Sequence, residues 1–257
     1  MTTLEVAIPG DHANLLPIGD LHLGDKAFKS NGLRKLKGYL DWARQHEATT
    51  RIFLMGDIFN CASRVSKTSP FETDASEYDR ANEIFGPYRD LIIGGIDGNH
   101  EFRWLDLFGF SPMKMLCQQL GATYCGYSAA IKFRVGIRPG EDNQYHQIYW
   151  LYAHHTRGGS GTVGNAINKA AKLQDIVCGM DAYLAGHNHQ MATGCKIVYF
   201  PMQNHLVERK IHFVDCGSYL EWDGSYAEAQ GLAPSKLGSP KIRLSGERDH
   251  HDIHVSI

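Results

Sequence analysis

Residues 15–22 read Leu15-Leu16-Pro17-Ile18-Gly19-Asp20-Leu21-His22: a short apolar run, a glycine, then an aspartate and a histidine one residue apart. A run of this length bounded by glycine suits a buried strand, and the glycine lets the backbone turn sharply out of it. Alternate residues of an extended segment point the same way, so Asp20 and His22 face one centre. The punctuation recurs. Ile52–Met55 leads into Gly56-Asp57-Ile58-Phe59-Asn60, and Leu91–Ile96 is followed by Gly98-Asn99-His100-Glu101. Ile148–Ala153 leads into His154-His155, and Tyr183–Ala185 into Gly186-His187-Asn188-His189. In open α/β sheets ligands bind beyond the carboxyl ends of the strands, so five such ends are expected to converge on one site.

Between the apolar runs lie helical patterns. Leu33, Leu36, Leu40 and Ala43 recur at helical spacing, with Ser30 and Asn31 as candidate N-caps. Helices are also expected over Ser76–Phe85, ended by Gly86-Pro87, over Pro112–Leu120 and over Val163–Leu173. Strand alternating with helix implies βαβ crossovers and a largely parallel sheet in the first half. After Gly186 the pattern turns strand-rich, with runs at Lys196–Phe200, Ile211–Asp215 and Ile253–Ile257. The expected architecture is α/β: a four-layer αββα sandwich of two mixed sheets packed face to face with helices outside. Ala227–Pro240, rich in Gly, Ala, Ser and Pro, reads as the best linker, but too little follows it for a second domain. A single domain over residues 1–257 is expected.

Composition narrows the function. The 26 Lys and Arg against 28 Asp and Glu give a formal charge of −2, which excludes a generally basic nucleic-acid coat. The 43% hydrophobic and 21% charged content is that of a globular chain. No stretch approaches the ~20 apolar residues of a membrane helix, and the start has neither a basic nor an apolar leader region, so a cytoplasmic protein without membrane partners is expected. Six cysteines without CxxC spacing read as reduced thiols. The 14 histidines point to a metal or proton-transfer site.

A mixed set of carboxylates and imidazoles suits Mn, Fe, Zn or Ni better than Mg or Ca. The set is also too large for one tetrahedral ion and matches a pair of ions ~3.5 to 4 Å apart. The ordered series D-x-H, G-D-x-x-N, G-N-H-E, H-H and G-H-x-H, from Gly19 to His189, resembles the calcineurin-like metallophosphoesterase superfamily, in its phosphodiesterase and repair-nuclease branch. The resemblance implies two divalent ions, with Mn the expected metal and Fe, Zn or Ni the alternatives. It implies that Asp20, His22 and His189 hold one ion, that Asp57 bridges, and that Asn99, His154 and His187 hold the other. His155 is the rival of His154, and the family pattern favours the first histidine of such a pair. His100 corresponds to the catalytic histidine. Asn60 departs from the family, where many members carry aspartate, and is taken with Arg103 and Arg157 as a residue near the substrate. Glu101 is placed in sequence to orient His100 or a neighbour.

The function this implies is hydrolysis of phosphodiester bonds by a metal-bridging hydroxide. Two divalent ions, Asp20, Asp57 and that hydroxide leave roughly +1 at the centre, which attracts a phosphate ester. Phosphoprotein phosphatases of the superfamily usually carry an arginine immediately before G-N-H, two residues ahead of the asparagine, whereas the residue at 97 is Asp97. The alternatives are a DNA or RNA nuclease or a phosphomonoesterase of the same superfamily, and a non-catalytic metal-binding scaffold. Nucleic acid therefore stands among the candidate partners, although the near-neutral charge gives a basic groove little support.

Other features read more blandly. His12, His46, His146, His205 and His212, and the cluster from Arg248 to His254, are expected to be structural. Gly159-Ser160-Gly161-Thr162-Val163-Gly164 matches G-x-G-x-x-G, but no acidic residue ends the next strand, so the dinucleotide reading fails and a phosphate-holding turn beside Arg157 remains. The polar stretch Cys61–Thr73, with Arg64 and Lys67, is a candidate cleft rim, and Trp104, Phe108 and Phe110 are expected in core packing.

Overall fold

Apolar runs bounded by glycine become strands whose two faces are both covered. A computed structural model describes residues 1–62, 74–137, 144–158 and 161–257, with only the backbone of 74–76 and 202. The first part of the chain comprises β1 (Thr2–Ile8), β2 (His12–Ile18), α1 (Ser30–Gln45), β3 (Thr50–Leu54), α2 (Asp74–Phe85), β4 (Ile92–Gly95), α3 (Asn99–Phe108), α4 (Pro112–Leu120) and β5 (Thr123–Tyr124). The second comprises β6 (Ser128–Ile137), β7 (Tyr145–His155), α5 (Val163–Lys172), β8 (Ala182–Gly186), β9 (Met191–Met202), β10 (His205–Cys216), α6 (Tyr226–Ala229), β11 (Lys241–Ser245) and β12 (Ile253–Ser256).

Two six-stranded sheets result, ordered β1-β6-β7-β8-β10-β9 and β12-β11-β2-β3-β4-β5. In the second, β2, β3, β4 and β5 run parallel, while β11 and β12 add antiparallel strands at its edge. In the first, β7, β8 and β10 run parallel, and β6 and β9 pair antiparallel to β7 and β10.

Period-two alternation sorts the side chains into layers. On β2, Ala13 and Leu15 join Phe133, Leu151 and Leu184 in the core between the sheets, whereas Leu16 and Ile18 face the layer with Leu36, Leu40, Phe85 and Leu116 of α1, α2 and α4. On β7, Tyr149, Leu151 and Ala153 enter the inter-sheet core, while Tyr152 faces outward with Ala170 of α5. The four-layer αββα sandwich expected from the sequence is the observed architecture.

Two local expectations are corrected. Ser30 and Asn31 lie inside the first turn of α1; Lys29 holds the cap position without a capping side-chain bond, and the distant Glu221 carboxylate accepts from the Asn31 N–H at 2.9 Å. The stretch 227–240 is no linker: it holds most of α6 and a bridge from Leu237 to Ser218, and it walls the cleft described below. Asn99-His100-Glu101, given no element from the sequence, forms the first turn of α3. All six cysteines are free thiols. Among the described residues no helix is long and apolar enough to cross a membrane.

Candidate metal centre

The carboxyl ends of β2, β3 and β4 in one sheet and of β7 and β8 in the other open onto the same edge of the sandwich. There the backbone leaves ordinary conformational space. Among the described residues seven non-glycine positions have positive φ, and five of them are Asp20, His22, Asp57, His187 and His189, between +48° and +85°. Such conformations are costly for L-residues and persist where surrounding structure holds them, most often at functional sites. The loops after β3 and β4 also meet backbone to backbone. A Cβ on Gly98 would lie 2.1 Å from Asp57 Oδ1 and 2.4 Å from Asp57 N. Gly98→Ala is therefore expected to destabilise the fold by about 2 kcal/mol or more through forced separation of these loops. Thermal denaturation checks this, and a melting point equal to that of the parent would contradict it.

Asp57 is the hub. It is 1% exposed, and its Oδ2 lies 3.3 Å from His155 Nε2, 3.7 Å from His22 Nε2 and 4.0 Å from His100 Nε2. Its Oδ1 accepts the His100 backbone N–H at 2.8 Å. Asp20 Oδ1 lies 3.3 Å from His189 Nε2, whose ring nitrogen is 3.1 Å from that of His22. Three overlapping groups thus have metal-ligand spacing: Asp20, His22 and His189; His22, Asp57 and His100; and Asp57, His155 and His187. The donor set fits divalent cations on a direct observation: Asp57 Oδ2 is buried and lacks a hydrogen-bond donor. A buried carboxylate oxygen left in that state is costly unless positive charge compensates it.

The structure separates the two adjacent histidines. His155 continues the inward series Tyr149, Leu151, Ala153 on β7, donates from Nδ1 to the Met55 carbonyl at 2.8 Å, and presents Nε2 to Asp57 and to Asn99 Oδ1 at 3.2 Å. His154 follows Tyr152 on the opposite face, outside the three groups, and its ring lies 6.2 Å from that of Tyr152. The expectation that His154 joins the cluster is corrected to His155, because a one-residue step along a strand reverses the face.

Of the remaining expected residues, Asn99, His100, Arg103, His187 and Asn60 all line the cleft over the cluster. His100 donates from Nδ1 to the Asn60 backbone carbonyl at 2.6 Å and accepts from the Arg103 guanidinium at Nε2, 3.1 Å away. Asn60 thus acts through its backbone on His100, while its buried side-chain NH2 lacks a partner. Arg157 does not line the cleft; it is exposed and lies over the Phe102 ring at 5.5 Å. Gly161 reaches the cleft, but Gly159 and Ser160 lie outside the described residues, as do residues 63–73 with Arg64 and Lys67. Trp104 is buried in the core, whereas Phe108 and Phe110 are exposed beside it.

Glu101 has a role the sequence reading did not find. Fully buried, it accepts backbone N–H bonds from Asp57, Ile58, Phe59 and Gly98 at 2.8–3.1 Å, so one carboxylate ties together the loops after β3 and β4. These bonds go to the loops rather than to the His100 ring, which is held by Asn60 and Arg103. Asn188 does comparable work in the H-x-H turn, donating to the buried Asp215 at 2.6 Å and accepting from Lys169 at 3.0 Å. Asp20 accepts the His187 backbone N–H, and its own carbonyl accepts from the Ser218 hydroxyl at 2.9 Å. A buried acid three residues into a helix and an asparagine between two histidines were the available signals, but neither shows its distant partners.

Electrostatics follow the geometry. Burial opposes ionisation of Asp57, yet the rings of His155, His100 and His22 hold its carboxyl well below the usual range. Burial pulls His155 down, but Asp57, Asp20 and the Met55 carbonyl together push it up to about 10. Burial and then the charge of His155 bring His187 down to about 4. Burial, then the nearby Asp57, pushes Glu101 up to about 8, against the four N–H donors that favour its ionised form. Above pH 6.5 His155 and Glu101 act in the same direction, and His155 reaches furthest up the pH scale. Its folded value lies above the ordinary 6.5, so in metal-free protein its contribution is complete below about pH 6.5 and is lost as pH rises through about 10. Chelated protein is expected to lose stability across that window, and His155→Gln to flatten the loss, as read by urea denaturation at stepped pH; parallel profiles would refute the pairing.

No family model matches the chain, and no curated protein matches it. Among solved structures, the phosphoesterase YfcE from E. coli is similar at 13% identity and a TM-score of 0.41, covering 95% of this chain and 98% of that one. NAD nucleotidase (NadN) from Haemophilus influenzae is similar at 10% identity and a TM-score of 0.45, with 96% of this chain matched to 49% of that one. The chain thus spans about half the length of the nucleotidase. Both likenesses are distant, and the chemistry of the centre rests on its own geometry.

Proposed function

We propose that the protein is a metal-dependent phosphoesterase of the calcineurin-like metallophosphoesterase type, acting on phosphodiesters. The observation that carries this reading is the buried, donor-free Asp57 Oδ2 surrounded by three imidazole nitrogens. Asp20, His22 and His189 would hold one divalent ion and Asn99, His155 and His187 a second, with Asp57 between them; Mn suits this mixed donor set. Such ions supply Lewis-acid neutralisation of phosphoryl oxygens and an activated water nucleophile.

The chain's own residues do the rest. Asn60 and Arg103 fix the His100 ring, whose Nδ1–H faces the Asn60 carbonyl and whose Nε2 faces Arg103 and the Asp57 side. From this position His100 can exchange a proton with a leaving oxygen in the cleft. Diester preference is supported by residue 97, where Asp97 stands in place of the arginine that phosphoprotein phosphatases usually carry before G-N-H. Asp97 is buried, accepts from the Ser111 and Tyr124 hydroxyls and does not line the cleft.

The test is hydrolysis of bis-p-nitrophenyl phosphate and p-nitrophenyl phosphate by chelated and Mn-reconstituted protein. Metal-dependent turnover with the diester favoured is expected, with His155→Ala abolishing metal-dependent turnover and His154→Ala retaining it within about tenfold. Two bound metals without turnover of either ester would leave a scaffold. Loss of turnover only in the His154 variant would reverse the assignment on β7.

A further inference from the structure

The cleft over the cluster encloses about 670 Å3, within the roughly 300–1,000 Å3 of small-molecule sites. Much of its lining is not chemistry-bearing. The segment 218–237 contributes Leu220, Trp222, Tyr226 and Leu232. Tyr226 and Leu232 are 57% and 42% exposed and Trp222 is half-buried, so these three present apolar surface at the cleft, while Leu220 is half-buried and also packs against the helix-side core. Exposed apolar surface grouped beside a polar centre marks a contact for a ligand more often than a packing remnant.

The wall is built to keep its shape. The Trp222 indole N–H donates to the Leu232 carbonyl at 2.6 Å, which fixes the ring and satisfies its one polar group. The Ser225 hydroxyl donates to the Trp222 carbonyl at 2.6 Å and accepts from Ala227 N–H, and the Gly224 N–H donates to the Glu228 carboxylate. The segment is tied to the body by Ser218 on the Asp20 carbonyl, by Glu221 on Asn31 and by Lys29 on the Asp223 carbonyl. Among the described residues that line the cleft, Arg103 and Lys236 are the Lys and Arg.

We infer that the substrate is a small phosphate ester of a flat aromatic group, up to nucleoside size, whose ring packs against Trp222 and Leu220 while its phosphoryl group meets the cluster. This rests on the phosphoesterase reading and narrows it to a substrate class. A preformed apolar wall adds binding for a ring without ordering a loop, and aromatic pairs prefer such fixed plates.

The experiment compares methyl phenyl phosphate with dimethyl phosphate, both diesters, on the Mn-loaded protein. Trp222→Ala is expected to raise KM for methyl phenyl phosphate about tenfold more than KM for dimethyl phosphate, with kcat on methyl phenyl phosphate changing less than KM. Trp222→Phe should restore most of the loss, and the smaller Leu220→Ala change should show the same selectivity if Trp222→Ala does not fold. Equal KM effects on both diesters, or none, overturn the inference. Where wild type turns over neither diester nor bis-p-nitrophenyl phosphate, the phosphodiesterase reading fails by itself, and calorimetry of methyl phenyl phosphate against dimethyl phosphate still reads the wall. Selective weakening of methyl phenyl phosphate by Trp222→Ala supports the wall there, and unselective weakening, or none, overturns it.

Discussion

Replacing Asp57 by asparagine is expected to lower metal-dependent phosphoesterase turnover by about 10³-fold or more, the scale on which removing a central electrostatic group acts in an active site. The substitution is nearly isosteric. Asparagine keeps an oxygen for the His100 backbone N–H, 2.8 Å from the present Oδ1, so the loops after β3 and β4 retain their tie. What it removes is the charge that His155, His22 and His100 surround. Metal binding should weaken with it. Parent protein at ~1,000 times its dissociation constant for metal gains about 4 kcal/mol of stability, visible as a rise in Tm, and the variant should lose most of that rise. Metal analysis, calorimetry and turnover on bis-p-nitrophenyl phosphate check the three parts. Turnover within tenfold of the parent, or an unchanged metal-induced rise in Tm, would remove Asp57 from the centre.

The second large effect lies in folding rather than chemistry. Glu101→Ala strands four buried backbone N–H groups, those of Asp57, Ile58, Phe59 and Gly98, at about 1–3 kcal/mol each. The sum reaches the ~5–15 kcal/mol that holds a typical domain folded, so the alanine variant is expected to be largely unfolded or insoluble. Glu101→Gln retains one acceptor oxygen and should fold with an intermediate loss. Urea denaturation of the two variants beside the parent separates these outcomes. An alanine variant as stable as the parent would mean that water or a rearranged loop satisfies those donors.

These two residues show how unevenly the site was legible. Asp57 announces itself, because an apolar run ending in Gly-Asp is a strand delivering a carboxylate to the sheet edge. Glu101 does not. Three of its four partners, Asp57, Ile58 and Phe59, lie more than 40 residues away on another strand's loop, and the sequence around it shows only an acid near the start of a helix. The same holds for Asn188, whose bond to Asp215 crosses from one strand end to another. Residues 128–137 and 241–245, read as no element in the sequence, became β6 and β11 because neighbouring strands offered them ladder partners.

By itself the sequence determined the local elements and the chemistry at their ends. Apolar runs closed by glycine specify buried strands, helical spacing specifies the outer layers, and D-x-H and H-x-H mark carboxylates and imidazoles at strand ends, although Asp20, His22, His187 and His189 come together there through positive φ rather than an extended backbone. Those are short-range rules, set by dihedral preferences and side-chain alternation within a few residues. Tertiary structure alone decided which of His154 and His155 faces the cluster, since only the inter-sheet core fixes which face of β7 is inward. It alone showed that Glu101 fastens two loops and that 218–237 walls the cleft. Those outcomes depend on hydrogen bonds and packing between segments far apart in the chain, where local preference carries no information.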